Sequence, residues 1–123
     1  MEPMTLDEAR GFLAAAVSTQ GPEFIYNTGE SESDICSYIP LVGLSESDPR
    51  TKTGCLVGVA LSLAGRSREN LEEFAGSVLF AEEPFSLTSE AAGYFHRAQR
   101  EQDIGTSWGY AFQVAEDWAD SRV

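Results

Sequence analysis

The feature that most constrains the fold is the segment 54–64, GCLVGVALSLA, which is apolar around its whole circumference. A helix that is hydrophobic on every side is normally buried. The run is much shorter than the ~20 residues that span a bilayer, so it predicts an element inside a domain. Thr53 is a candidate cap for its start, and Gly65 marks its end. The length and the terminal glycine favour a helix, although Val57 and Val59 keep a strand open.

The rest of the chain is long enough to cover this run. It has 123 residues, of which 42% are hydrophobic. That length fits one domain of ordinary size, and that hydrophobic share is typical of a chain that folds. We therefore expect a single compact domain spanning residues 1–123. Polar stretches rich in turn-forming residues predict flexible loops at 28–34 and 43–53.

Local signals predict the elements of the N-terminal half. Thr5 and Glu8 have the spacing of a capping box, and apolar residues recur at helical spacing behind it, which predicts a helix over 6–18. The sequence Gly21-Pro22 ends that helix. The segments 23–27 and 35–39 are short and rich in β-branched and aromatic residues, so they predict the two strands of an antiparallel β-hairpin.

Three further helices are predicted in the C-terminal half, over 68–75, 89–103 and 107–120. The last two are separated only by 104–106, where Gly105 is the expected left-handed stop, so they should form an antiparallel αα-hairpin. The predicted fold class is therefore α+β and mainly α-helical. It has about five helices, a small antiparallel β-hairpin and a C-terminal αα-hairpin.

The charge of the chain limits its partners. Twenty acids and eight Lys or Arg give a formal net charge of -12, which excludes non-specific binding to nucleic acid or to an anionic membrane. An acidic protein can instead dock on a basic partner surface or imitate nucleic acid, although solubility alone is the commoner reason for such a charge. The bases are concentrated: residues 50–68 carry four bases and no acid.

The candidate ligand-binding or partner-binding residues are basic side chains from two parts of the chain. Two follow the apolar run, and three lie together on the predicted helix 89–103: Arg66, Arg68, His96, Arg97 and Arg100. Convergence of these side chains would create an anion or partner site. The alternative is internal charge balance, with Arg97 and Arg100 paired to Glu90 or Glu101 on the same helix.

The sequence contains no recognisable catalytic set, so no enzyme activity is predicted. It has no phosphate-binding glycine motif and no nucleophile elbow, and its cysteines and single histidine lack zinc-site spacing. We expect no metal and no cofactor. The chain shows no leader segment, which predicts a cytoplasmic location, where Cys36 and Cys55 stay reduced. A disulfide, and a Cys55–His96 dyad, are lesser alternatives.

Two stretches together carry a family resemblance. One is Gly54-Cys-Leu-Val-Gly-Val-Ala-Leu followed by Ala64-Gly-Arg. The other is Ala98-Gln-Arg-Glu-Gln-Asp-Ile-Gly105, which continues into Trp108-Gly-Tyr-Ala111. Over residues 24–120 the chain resembles small uncharacterised proteins of actinobacteria and their phages, a group that carries no activity to transfer. Physically, the second stretch indicates structure: Gln102 can bond to orphan carbonyls or to the next helix, Asp103 can cap the amides of 107–109, and Trp108 can anchor the hairpin.

These observations favour a small, acidic, non-enzymatic protein-interaction or regulatory module. The resemblance adds the expectation that it is phage-encoded and modulates a host protein. The expected partner is a protein with a basic surface, with no direct nucleic-acid binding and no membrane, and the oligomeric state is open. A small anionic-ligand binder, for nucleotide or phosphate, is the first alternative. A nucleic-acid mimic is the second.

Overall fold

The structure is a computed structural model that describes residues 3–26, 53–66 and 86–121. Four helices lie in this part of the chain: α1, Leu6–Gln20; α2, Leu56–Leu63; α3, Ser89–Asp103; and α4, Trp108–Asp120. The helix predicted over 68–75, the loop predicted over 28–34 and nearly all of the loop predicted over 43–53 lie outside the described residues. Helix α1 packs against each of the other three helices.

The prediction of an α+β fold with about five helices and a β-hairpin is wrong. The described residues are all-helical, and the β pairing among them is one isolated parallel bridge between Met4 and Leu87. The first predicted strand, 23–27, forms no strand over its described residues. Instead, the carbonyl of Pro22 accepts the Gly109 N–H at 2.8 Å, and that of Phe24 accepts the Trp108 N–H at 2.8 Å. Aromatic and β-branched residues favour burial as much as they favour a strand, and here the segment packs against the N-terminus of α4. The second predicted strand, 35–39, lies outside the described residues.

Helix α1 begins as its sequence predicts. The Thr5 side chain accepts the Glu8 N–H at 3.2 Å, and the Glu8 carboxylate accepts the Thr5 N–H at 3.0 Å, so the capping box is complete. The helix runs two residues beyond the predicted end and stops at Gly21, whose φ of +94° lies in the region that favours glycine. Its core face is the predicted one, with Ala9, Leu13, Ala16 and Val17 buried.

Helix α2 is the apolar run, and its first turns are buried as predicted. Leu56 and Leu61 are fully inaccessible, but Leu63 in the last turn is 48% exposed, so burial on every side does not extend to its end. Thr53 does not cap the helix. Cys55 occupies the N-cap and offers no side-chain hydrogen bond, while Thr53 Oγ1 donates to the Gly54 carbonyl at 3.0 Å.

The C-terminal αα-hairpin is confirmed. Thr88 caps α3 by accepting the Ala91 N–H, and Ser107 caps α4 by accepting the Tyr110 N–H. Gly105 sits between the helices with a φ of +93°, as expected of a left-handed stop. Ala91, Phe95, Ala98 and Gln102, which recur at three- and four-residue spacing along α3, form a buried stripe. Of the described helices, none is both apolar and long enough to cross a membrane.

Candidate functional site

Helix α3 has an inner face, whose polar groups bond to the other helices, and an outer face. On the inner face, Gln102 is fully buried. Its Oε1 accepts the Leu56 N–H at 2.8 Å and the Trp108 indole N–H at 3.3 Å, and its Nε2 donates to Asp103 Oδ1 at 3.0 Å. Leu56 is the first residue of α2, so its amide has no partner within that helix. Gln102 therefore supplies the cap that Cys55 does not.

The start of α4 is held by chain far from it in sequence. Asp103 does not cap the amides of Trp108 and Gly109 as predicted, because these amides donate to the carbonyls of Phe24 and Pro22. The Phe24 and Trp108 rings also meet edge to face, with their centroids 4.7 Å apart. A Cβ added at Gly109 would lie 2.7 Å from Pro22 Cβ, so this approach requires glycine. Trp108 is thus the predicted anchor, and it bonds to more segments than the hairpin alone.

A second inner contact joins α1, α3 and α4. Arg10 Nε lies 2.8 Å from Glu116 Oε2, and its Nη2 lies 2.9 Å from Asp120 Oδ1. The buried Tyr94 hydroxyl donates to the same Glu116 oxygen at 3.3 Å. Burial, and after it the Glu116 charge, raises the pKa of Tyr94 far above its usual range, so the phenol stays a proton donor. The sequence analysis missed this cluster because its members are distant along the chain.

The outer face of α3 carries three of the predicted site residues, His96, Arg97 and Arg100. Arg100 is exposed, and the other two side chains are half-buried. Their spacing places them on neighbouring positions of one helix surface. Neither arginine forms an ion pair with Glu90, Glu101 or any other described residue. The predicted charge balance within this helix is therefore not formed in the described part of the chain.

An aromatic side chain of α4 covers part of this outer face. The Arg97 guanidinium carbon lies 5.5 Å from the Trp118 ring centroid, a cation–π arrangement. The same indole lies against Gly93, one turn earlier, where an added Cβ would be 2.9 Å from Trp118 Cη2. Gly93 therefore makes room for the indole, and the indole holds Arg97. The sequence analysis missed Trp118, because its only signal was a glycine and an arginine four residues apart on a different helix.

The protonation of His96 follows from the same neighbours. Partial burial lowers the pKa of His96, and the charges of Arg97 and Arg100 lower it further. The imidazole is therefore largely neutral at pH 7. At that pH the positive charge of the outer face comes from the two guanidinium groups, and His96 contributes a neutral donor and acceptor.

Arg66 does not join this group. Its Nη2 donates to the Ser86 carbonyl at 3.1 Å, and the Met4 amide donates to that same carbonyl at 2.8 Å. Ser86 precedes α3, and Arg97 lies about 12 Å further along that helix, at 1.5 Å per residue. Arg66 thus joins the end of α2 to the bridge between Met4 and Leu87. Arg68 lies outside the described residues.

Cys55 corrects the expectation of reduced cysteines. It is fully buried and disulfide-bonded. The sequence contains one other cysteine, Cys36, which lies outside the described residues. A sulfur held in a disulfide is not a nucleophilic thiolate, so the structure rules out the Cys55–His96 dyad in this state.

Comparison of the chain with protein-family models, with curated proteins and with solved structures found no match. Within residues 3–26, 53–66 and 86–121, no group of three or more His, Cys, Asp and Glu side chains is arranged to hold a metal ion.

Proposed function

We propose that the protein is a non-enzymatic interaction module that docks a protein partner through the outer face of α3. The observation that carries this proposal is that Arg97 and Arg100 have no carboxylate partner among the described residues of a chain with 20 acids and eight Lys or Arg. Arg10 in the same chain contacts two carboxylates. The outer face also combines arginine with tryptophan, the residue types that dominate the binding energy of protein interfaces.

The alternative of a small anionic-ligand binder uses the same side chains. Two guanidinium groups one turn apart can bind a phosphate through charge-assisted hydrogen bonds. However, small-molecule sites are concave and bury most of their ligand. His96, Arg97 and Arg100 all belong to a single helix, α3, and Arg100 is exposed, so this face suits a broad contact with a protein better than an enclosing site for a small anion.

Site-specific photocross-linking in an extract of the source cells tests the docking proposal. A photoreactive residue replaces Ser89, which is exposed in the first turn of α3, or Ala15, an exposed control position on α1. We expect a cross-linked partner from position 89 only, and we expect Arg97→Glu to abolish it. Equal cross-linking from both positions, or a product unaffected by Arg97→Glu, would overturn the proposal.

The cytoplasmic location predicted from the sequence conflicts with the disulfide at Cys55, because disulfides are rare in the reducing cytosol. Alkylation of thiols in acid-quenched cells, followed by mass spectrometry of the peptide that contains Cys55, distinguishes a reducing compartment from an oxidising one. An alkylated Cys55 supports the cytoplasm, and an unmodified, disulfide-linked Cys55 supports an oxidising compartment.

A further inference from the structure

We infer that the partner presents an acidic peptide segment, with an apolar residue beside its carboxylates, to Arg97, Arg100 and Trp118. The inference rests on the proposed function and adds the chemistry of the partner to it. Three observations on the outer face of α3 carry it: the two arginines that pair with no described carboxylate, the indole that contacts one of them, and the partial exposure of that indole.

The first step is the orientation of Arg97. The N–H groups of a guanidinium lie in its plane, so an arginine that stacks on an aromatic ring keeps them for a carboxylate. The Arg97 guanidinium carbon lies 5.5 Å from the Trp118 ring centroid. Because Trp118 is itself set against Gly93, this arrangement is present before any partner arrives. An arginine held in this way loses less conformational entropy when it binds than a free one does, and its donors match a carboxylate in bidentate geometry.

The second step is the spacing of the charges. Arg100 is three residues after Arg97, so their Cβ atoms are about 5–6 Å apart on the helix surface. Two positive groups at that separation suit neighbouring carboxylates on one peptide. Among the described carboxylates, none forms an ion pair with either arginine.

The third step distinguishes a peptide from a free anion. Trp118 is half-buried, so part of its surface faces water, and its ring lies 5.5 Å from the Arg97 guanidinium carbon. A free phosphate gains nothing from that surface, whereas an aliphatic side chain next to a carboxylate gains from burying apolar area against it. The pairing of charge with an apolar platform therefore favours an acidic peptide.

The test is a titration of the full-length chain followed by NMR, with three probes. The probes are an acetylated hexapeptide of four Glu and two Leu, the same peptide with Gln in place of Glu, and inorganic phosphate. The Trp118 indole N–H and the Gly93 amide report on the outer face. The Trp108 indole N–H, which is bonded to buried Gln102, is the internal control.

We expect the Glu peptide alone to shift the Trp118 and Gly93 signals saturably while the Trp108 signal stays in place. Arg97→Gln should weaken this binding at least about tenfold, since a hydrogen bond between charged groups is worth about 1.5–3 kcal/mol and 1.4 kcal/mol is tenfold. Gly93→Ala should weaken it as well without removing a charge, because it displaces the indole. The Arg10→Gln variant should bind like the unaltered chain.

Equal shifts with the Gln peptide would overturn the role of charge, and equal shifts with phosphate would identify a small-anion site. If the Glu peptide shifts nothing but the cross-link from position 89 is found, the acidic partner is wrong and the docking face stands. If both are absent, the proposed function fails with it.

Discussion

The two faces of helix α3 differ in whether their polar side chains have partners within the described chain. On the inner face, Gln102 makes three hydrogen bonds and the Tyr94 hydroxyl donates to Glu116. Among the described residues, no buried side-chain nitrogen or oxygen lacks a partner. On the outer face, Arg97 and Arg100 have no carboxylate partner within residues 3–26, 53–66 and 86–121. Where water is excluded, an unmatched polar group costs free energy, whereas a solvated arginine needs no partner and can remain open to a ligand.

The largest expected effect comes from breaking the inner face. Gln102→Leu would leave the Leu56 amide and the Trp108 indole N–H buried without an acceptor. Each such group costs about 1–3 kcal/mol, so the free energy of unfolding should fall by about 2–6 kcal/mol in urea denaturation. The control is Gln113→Leu, an exposed glutamine bonded to Asp117, which should change it by less than about 0.5 kcal/mol. Equal effects of the two substitutions would contradict the account.

The next effect concerns the position of Trp118. In Gly93→Ala the new methyl group would lie 2.9 Å from Trp118 Cη2, and forcing extra atoms into a packed contact costs about 1–3 kcal/mol. The control is Gly11→Ala in α1, where no atom lies within 4 Å and the better helix propensity of alanine should add up to about 1 kcal/mol of stability. In urea denaturation, the changes in the free energy of unfolding of the two variants should therefore have opposite signs or differ by at least about 1 kcal/mol. A gain of stability in Gly93→Ala equal to that in Gly11→Ala would show that the indole is not held there.

A smaller effect compares arginines by their surroundings. Arg10→Gln removes the guanidinium between Glu116 and Asp120 and should lower the Tm. Arg100→Gln removes an exposed side chain without an ion pair in the described part of the chain, so its Tm should match the unaltered protein. Calorimetry of the two variants at equal salt measures the difference. A larger loss in Arg100→Gln would mean that the outer face is structural.

The smallest effect is the pH dependence that His96 contributes. Its pKa in the folded chain lies below the ordinary value of 6.5, so the unfolded chain binds more protons in that range. The contribution of His96 to stability is therefore complete above about pH 6.5 and is lost as the pH falls toward its folded pKa. The Tm of the unaltered chain should drop more between about pH 7.5 and pH 5.5 than that of His96→Gln, in which this titration is absent. Parallel profiles would show that the neighbouring arginines and burial do not act on the imidazole.

The parts of the fold that could be predicted from the sequence are the local ones. The capping box of Thr5 and Glu8, the stop at Gly105 and the hairpin it permits depend on residues a few positions apart. The prediction of a β-hairpin was wrong because the carbonyl of Phe24, in the first predicted strand, accepts the Trp108 N–H at the start of α4. No local sequence pattern contains that partner.

The same distinction applies to the candidate site. Helical periodicity was enough to place His96, Arg97 and Arg100 on one surface and away from the buried stripe. Periodicity could not show that Trp118 packs on Gly93, or that Arg66 is bonded at the other end of α3, since both depend on the tertiary arrangement of the helices. The residue types were enough to nominate the basic candidates. Only the tertiary packing distinguished Arg66, which bonds to the backbone, from Arg97 and Arg100 on the outer face of α3.

The central claim is that the outer face of α3 binds a partner and contributes little to folding. The double variant Arg97→Gln/Arg100→Gln, measured both for cross-linking from position 89 and for urea denaturation, tests it most directly. The account predicts at least about a tenfold loss of cross-linked partner, with a free energy of unfolding within about 1 kcal/mol of the unaltered chain. Full retention of the cross-link, or its loss together with the fold, would contradict the claim.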